Sequence, residues 1–310
     1  MPPLRALLHP AYSWRFLKSR LLNFCLKKNP NERGRTLFPP GHFHSPLLDI
    51  AALSSENSAL PHDGAETWEN IPLHQSDQRL LYQELLEKHP PLPFPQNESR
   101  DFRYHYDNDW FPLSDAFTLS ALMRREKPRR IIEVGSGFST AVMLDTLDHS
   151  GGRTSITCIE PYPERLEKLL GSGDSQRISV TAKPVQETSL SQFSGLDAGD
   201  FLFIDSSHVA KIGSDVTFLF LQVLPILKPG VWVHVHDIFY PETYPLEWIK
   251  QGRAWNESLM LRAFLIGNKG YQIRAFNSYA GAVFPSSFWE NLPAFHQNSG
   301  GSLWMQRCPN

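Results

Sequence analysis

Apolar positions along this chain follow two rhythms. From residue 130 onward they gather into short runs, each closed by an acid, a glycine or a histidine-acid pair. Ile131, Ile132 and Val134 make the first run, with Glu133 inside it and Gly135-Ser136-Gly137 behind it. Residues 154–159 (Thr-Ser-Ile-Thr-Cys-Ile), 201–204 (Phe-Leu-Phe-Ile) and 231–235 (Val-Trp-Val-His-Val) make the next ones. Apolar runs of this length between turn residues predict parallel strands buried on both faces. The second rhythm is helical. Ala141, Val142, Leu144 and Leu147 recur close to helical spacing between the first two strands. Upstream, a helix is predicted over 76–89, with Leu80, Leu81, Leu85 and Leu86 on one face and Ser76 or Asp77 as N-cap. Another is predicted over 115–125. The order strand, glycine turn, helix, strand predicts an open α/β sheet. The chain divides into a basic amphipathic segment (1–35), a proline-rich linker and helical extension (36–100), a sheet domain (101–290) and a C-terminal tail (291–310).

The glycine turn carries the first chemistry. Its glycines permit dihedrals and a ligand approach that a side chain would forbid. The carboxyl end of a strand is also where open α/β sheets bind ligands. The turn departs from the dinucleotide fingerprint Gly-x-Gly-x-x-Gly, because Thr140 stands at the third glycine position. Glu133 would repel a diphosphate and suits a cationic group, such as a sulfonium or an ammonium. Glu160 closes the second strand, roughly 20 residues beyond the glycines, where a carboxylate grips a ribose diol. The rival reading of Glu160 is a cap for a helix starting near Pro163.

Two further strand ends complete the set. Asp205 and His208 follow the Phe-Leu-Phe-Ile run. Lys228-Pro229-Gly230 turns into the last run, where His234 and His236 share one face and Asp237 closes it. In this order the chain resembles the class I S-adenosylmethionine-dependent methyltransferases. The matching residues are 133–137, Glu160, the strand ending at Asp205 and the Leu-Lys-Pro-Gly turn, within roughly 105–285. It looks closest to a bacterial branch of small-molecule and sugar O-methyltransferases with Ile-Asp-Ser-Ser-His (204–208), His-x-His-Asp (234–237) and Tyr-Pro-x-x-Tyr-Pro (240–245). Residues 1–70 lie outside the resemblance.

The resemblance implies a Rossmann-like sheet of seven strands, mostly parallel, with helices on both faces and the last strand antiparallel. Residues 271–276 and 280–284 would be its final pair. It implies S-adenosylmethionine as cofactor, held by Glu133, Gly135, Ser136, Gly137, Ser139, Thr140 and Glu160, with Gln186 at the adenine and Asp205 at the ammonium. Val185 is the alternative adenine contact. Asn108 and Trp110, ahead of the first strand, are placed with Phe111 over the amino-acid end of the cofactor and the substrate beside it. Asp115 would lie near the methionine moiety. Simple burial under a cover for the sheet is the equal rival. Tyr240 and Tyr244 stand where an acceptor enters, continued by Trp248, Arg253, Trp255, Asn256 and Glu257, and Asn277-Ser278-Tyr279 is a further substrate-side candidate.

Methyl transfer from a sulfonium needs approach geometry and removal of the acceptor's proton. His208 and His236, with Asp237, are the candidate bases, and His234, deeper in its strand, reads as structural. Alternatively Asp205, His208, His236 and Asp237 hold a divalent cation, such as magnesium, that binds a vicinal diol.

Composition narrows the partners. A net charge of −2 over 310 residues gives no global attraction to nucleic acid, and no extruded-base motif appears. Cys25, Cys158 and Cys308 lack metal spacing and cannot all pair, which fits a reducing cytoplasm. Cys158 reads as a small core hydrophobe. In residues 1–35 eight basic residues face only Glu32, interleaved with leucines and aromatics. That segment packs on its own domain or a protein partner, or lies on an anionic membrane at the inner surface. The expected function is O-methylation of a small molecule or saccharide. The alternatives are a non-catalytic binding or scaffold module and a nicotinamide-dependent oxidoreductase. The acceptor and the oligomeric state are not legible in the sequence.

Overall fold

The computed structural model describes residues 38–50 and 64–309. The basic segment 1–35, with Cys25, lies outside the described residues. The chain forms two compact units divided between Ala52 and Leu53. In the first, the Gly41 amide donates to the Leu47 carbonyl (2.9 Å), and the Phe38 and His42 rings stack at 4.5 Å.

The second unit is built on seven strands: β1 (Arg130–Val134), β2 (Ser155–Ile159), β3 (Ile178–Thr181), β4 (Phe201–Ile204), β5 (Trp232–Val235), β6 (Tyr271–Phe276) and β7 (Leu303–Arg307). Their order is β3-β2-β1-β4-β5-β7-β6. β1 to β5 run parallel, and β7 is antiparallel to both β5 and β6. The Rossmann-like sheet with an antiparallel last strand is therefore as expected, but that strand is not where it was expected. Residues 280–284 lie in a helix and its end, and β7 comes from 303–307, so the stretch read as a C-terminal tail supplies the strand between β5 and β6.

Helices α1 (Gln75–Lys88) and α2 (Leu113–Glu126) precede the sheet. Between the parallel strands lie α3 (Phe138–Ser150), α4 (Glu164–Leu169), α5 (Leu190–Ser194) and α6 (Asp215–Phe218). After β5 come α7 (Leu246–Lys250) and α8 (Glu257–Leu265), and between β6 and β7 come α9 (Asn277–Val283) and α10 (Ala294–Gln297).

Strand alternation sorts the core into two layers. Ile131, Phe201, Phe203, Trp232 and Trp304 face α1, α2 and α3, while Ile132, Leu202, Ile204, Val233 and Val235 face the opposite layer. Each fully buried side chain of this size stabilises the fold by about 1.5–3 kcal/mol. The buried stripe of α1 is Gln78, Leu81, Tyr82 and Leu85, whereas Leu80 is exposed, so the predicted face was turned. The helix is entered through His74 in a left-handed conformation, not through a Ser76 or Asp77 cap. Cys158 is buried as expected.

A buried polar joint locks these layers. The Tyr82 hydroxyl and Thr118 Oγ1 donate to Asn277 Oδ1 (2.6 and 3.0 Å), and Asn277 Nδ2 donates to Asp115 Oδ1 (2.7 Å). Asp115 also accepts the amides of Gly301 and Ser302 (3.0 and 3.1 Å) at the entry to β7. Asp115, read as a neighbour of the methionine moiety, is a fully buried joint between α2 and β7. Asn277 belongs to the same joint, not to a substrate-side turn.

Candidate active site

Register fixes the site. Val134 pairs with Ile159 and with Ile204, and Ile204 pairs with Val235. The carboxyl ends of β2, β1, β4 and β5 are thus level, and the residues just beyond them, Glu160, Gly135, Asp205 and His236, form one row. Gly135 has φ +80°, and a Cβ there would fall 1.8 Å from the Asp205 carbonyl oxygen. Only glycine lets β1 turn away this close to β4.

Above this row lies a cleft of about 400 Å³ lined by Gly135, Glu160, Gln186, Asp205, Ser206 and Ser207, with Tyr162 and Val185 at its side. Glu160 is half-buried in it. Its two oxygens accept the amides of Ser136 (3.1 Å) and Tyr162 (2.8 Å). A carboxylate needs no more than one lone pair per amide, so both oxygens keep capacity for a diol. Gln186 donates to the Gly213 carbonyl (3.2 Å), which leaves its amide oxygen as the acceptor.

Glu133 is not part of this lining. It is fully buried beneath the turn, where Ser139 Oγ and Thr140 Oγ1 donate to its two oxygens (2.6 and 2.5 Å) and Cys158 Sγ approaches Oε2 (3.4 Å). Burial raises its pKa to about 7, against the lowering effect of those hydroxyls. Thr140 also accepts the Gly137 amide (3.2 Å). Glu133, Ser139 and Thr140, read as cofactor contacts, are instead placed under the turn, where they hold it. The residue at the third glycine position ties the turn to the strand below it.

The second half of the site lies at β4 and β5. His208 Nε2 stands 3.5 Å from Asp205 Oδ1 and 3.5 Å from Asp237 Oδ2, while Nδ1 is 2.9 Å from Glu257 Oε2. His236 Nε2 is 3.6 Å from Asp237 Oδ1. His208 and Asp237 both adopt positive φ, +59° and +55°. Non-glycine residues in this region are strained, and such strain concentrates at functional sites. The β4 loop is held by α8: the His208 carbonyl accepts the amides of Asn256 and Glu257, and Ser206 Oγ donates to Glu257 Oε1 (2.9 Å). Glu257 therefore sets the imidazole's orientation, a role sequence reading missed. No local spacing marks an acid 49 residues beyond its histidine.

Electrostatics follow from this packing. Burial alone would lower the His208 pKa. The hydrogen bond and charge of Glu257, with Asp237 and Asp205, reverse that and lift it to about 9. Burial raises the Asp205 carboxyl, while the charges of His236 and His208 hold it down. His236 is raised, burial being outweighed by Asp237, Asp205 and Asp115. His234 is driven far down by burial and by His236. It stacks on Phe203 at 3.8 Å and pairs with Ser302 Oγ at 2.9 Å, the structural role expected of it.

Among the described residues no three or more His, Cys, Asp or Glu side chains are arranged to hold a metal ion. Asp205, His208, His236 and Asp237 do come together, but His208 turns Nδ1 to Glu257 and puts its other ring nitrogen between the two carboxylates. With Nδ1 of His208 held by Glu257 and two imidazoles among the four groups, the set departs from the oxygen shell that magnesium takes.

The predicted substrate residues scatter. The Asn108 side chain is engaged within its own loop, donating to the His105 carbonyl (2.6 Å) and accepting the Trp110 and Phe111 amides (2.9 and 2.7 Å). Tyr244 is buried, and its hydroxyl accepts the Ser258 amide (3.2 Å). The Asn108 amide is engaged at both its oxygen and its nitrogen, and Tyr244 is buried with its hydroxyl on the first turn of α8. Trp110 is exposed. Tyr240 lines a separate recess of about 430 Å³ with Phe239, Ser278, His296 and Gly300.

Residues 132–238 match the sequence model of a methyltransferase-domain family. An uncharacterised protein of Archaeoglobus fulgidus is 28% identical over 166 residues, covering 52% of this chain and 74% of that one. Solved structures similar to this chain include a Podospora anserina methyltransferase bound to S-adenosylhomocysteine, 16% identical, with TM-score 0.41 and coverage of 75% of this chain and 88% of that one. They also include a Streptomyces achromogenes O-methyltransferase of tomaymycin synthesis, in complex with S-adenosylmethionine, 14% identical, with TM-score 0.39 and coverage of 79% and 99%. The strand order, the glycine turn and the match over residues 132–238 agree with the resemblance to class I S-adenosylmethionine-dependent methyltransferases.

Proposed function

We propose that this protein is an S-adenosylmethionine-dependent O-methyltransferase acting on a hydroxyl of a small molecule or saccharide. The observation that carries the reading is the adjacency of two half-sites along one row of strand ends. A cleft with a gripping carboxylate, Glu160, adjoins a buried imidazole, His208, backed by Glu257 and facing Asp205 and Asp237.

When bound, S-adenosylmethionine supplies a methyl group already activated on a sulfonium. The residues of the chain then have two tasks. Glu160 and the turn at Gly135 hold the nucleoside, and the His208 group accepts the acceptor's proton. The imidazole carries Glu257 on Nδ1, which fixes the tautomer so that Nε2 faces Asp205 and Asp237, the logic of an oriented base. With a pKa near 9, His208 is mostly protonated at neutral pH. A hydroxyl entering between it and Asp237 would give its proton to the neutral fraction of the pair, and that fraction rises with pH. His236 stands beside Asp237, with Nε2 3.6 Å from Oδ1. No metal step is part of this proposal.

The test is calorimetric titration with S-adenosylhomocysteine, followed by a screen of saccharides and phenols for methyl acceptance. Micromolar binding that Glu160→Ala weakens, with turnover on a hydroxyl acceptor, supports the reading. No binding to the wild-type protein overturns it.

A further inference from the structure

Residues 64–68 lie outside the methyltransferase resemblance, yet they reach the β5 side of the site. Ala65–Trp68 forms one short 3-10 turn. It leaves Trp68 only 2% exposed, with its ring 5.0 Å from Phe276 and 6.3 Å from Tyr240. The indole Nε1 donates to the Pro241 carbonyl (3.3 Å). Arg262, on α8 and also buried, lays its guanidinium over the same indole, 4.6 Å from the ring centre. From there it donates to the Glu242 carbonyl (2.9 Å) and to Thr67 Oγ1. A guanidinium is buried only where charge-assisted hydrogen bonds offset its desolvation. These bonds join the 64–68 turn to the loop that follows β5.

That loop, 239–245, starts two residues beyond Asp237 and supplies Phe239, Tyr240, Glu242 and Pro245 to the recess of about 430 Å³. The recess adjoins the proton-accepting group. Gly300 lines it, and the next residue, Gly301, packs on Asp237, where a Cβ would fall 3.2 Å from Oδ1. Pro241 and Pro245 have no amide hydrogen, so the loop has fewer backbone bonds with which to fix itself. Side chains anchor it instead: Trp68 at Pro241, Arg262 at Glu242, and Tyr244 on the Ser258 amide. Helix α8 thus orients His208 through Glu257 and holds the loop through Arg262. We infer that Thr67, Trp68 and Arg262 are positioning residues for the methyl acceptor. They fix the wall of the recess beside Asp237 and so set acceptor affinity, while none of them lines the nucleoside cleft. This inference rests on the O-methyltransferase reading above and adds the 64–68 turn to the working parts of the site.

The experiment uses the full chain. Arg262→Gln removes the charge and the forked donors, and the milder Trp68→Phe keeps an aromatic ring but loses the Nε1–H donor. Hydrogen exchange read by mass spectrometry reports on the loop without any acceptor. Amides of 239–244 should exchange about fivefold faster in Arg262→Gln and about twofold faster in Trp68→Phe, with peptides over 131–140 at the wild-type rate. With the saccharide or phenol that the wild-type protein methylates, acceptor KM should rise about tenfold in Arg262→Gln. kcat should stay within about threefold and S-adenosylhomocysteine affinity within about twofold. Arg262→Lys, which keeps the charge but not the fork, should recover part of the lost affinity. Unchanged loop exchange in both variants would overturn the inference, and so would faster exchange with an unchanged acceptor KM. Faster exchange throughout the domain, or S-adenosylhomocysteine weakened as much as the acceptor, would make the three residues merely structural and overturn it too. A wild-type protein that binds no S-adenosylhomocysteine, or methylates no hydroxyl acceptor, fails the O-methyltransferase reading and the acceptor role with it. Whether the 64–68 turn holds the loop is decided by the exchange in either case.

Discussion

The two halves of the cleft are built in opposite ways. On the β1–β2 side the parts are close in sequence: the turn, its supports Ser139 and Thr140, and Glu160 all fall within 28 residues of Glu133. On the β4–β5 side they are gathered from across the chain. His208 depends on Glu257, His234 on Ser302, and the entry to β7 on Asp115, 187 residues before Ser302. The first half is a local motif that one supersecondary unit can hold. The second exists only once α2, α8 and β7 have docked. A defect in distant packing should therefore disturb the proton-accepting half before the nucleoside half.

The largest effect that separates the halves should come from His208→Ala. If His208 is the base, turnover falls by about 10²–10⁴-fold while S-adenosylhomocysteine affinity changes little. Calorimetry beside a methyl-transfer assay reads both. A loss of affinity as large as the loss of rate would erase the distinction between the halves.

Next in size is a stability effect confined to the local half. Glu133 has its folded pKa raised, by burial, to about 7. A carboxyl with a raised folded pKa favours the fold while protonated, so its contribution is complete below the unfolded value and lost as pH climbs through about 7. The cost on full ionisation is at most about 3 kcal/mol. Urea unfolding should therefore show stability falling between pH 5 and 8 by about that amount, and Glu133→Gln should flatten the curve. Unchanged pH dependence in the variant would show that another group sets it.

The same contrast explains what could be read from the sequence. The strands β1, β2, β4 and β5 were legible because their apolar runs end at chemically distinctive residues. Level register then puts Glu160, Asp205 and His236 in one row. β7 was not legible. Ala280-Gly281-Ala282-Val283-Phe284 is the more continuous apolar run, yet it falls in α9 and its end, where Gly281 packs so closely on Ser299 that a Cβ would sit 2.6 Å from Ser299 Cβ. The strand at 303–307 completes the sheet because the Gly301 and Ser302 amides find Asp115, a partner no window of sequence contains. Asn108 and Tyr244 were misplaced for the same reason. Aromatic and amide side chains near a predicted cleft suggest ligand contacts, and only their hydrogen bonds reveal them as loop and helix supports.

Within the local half, Glu160→Gln should weaken S-adenosylhomocysteine by about tenfold, because a neutral amide accepts the diol less strongly than a carboxylate. kcat at saturating cofactor should stay nearly constant, and a matching fall in kcat would place Glu160 outside the binding role. The smallest effect tests the distant half through its remotest part. The hydrogen bond of Glu257, and after it the Glu257 charge, lift His208, so Glu257→Gln keeps a weaker hydrogen-bond acceptor at Nδ1 and removes the charge. The neutral imidazole is the working form, so kcat/KM should rise with pH in the wild type toward a plateau above about 9. In the variant the rising limb should move down by about one unit or more, toward the ordinary histidine range. At pH 7 the two effects oppose each other: more imidazole is neutral, but each is a weaker base, so the net rate changes only a few-fold. The position of the limb is therefore the informative quantity. A limb that stays at the wild-type pH while the rate falls would mean that Glu257 only holds the β4 loop, and the coupling between α8 and the proton-accepting half would then be one of shape, not of charge.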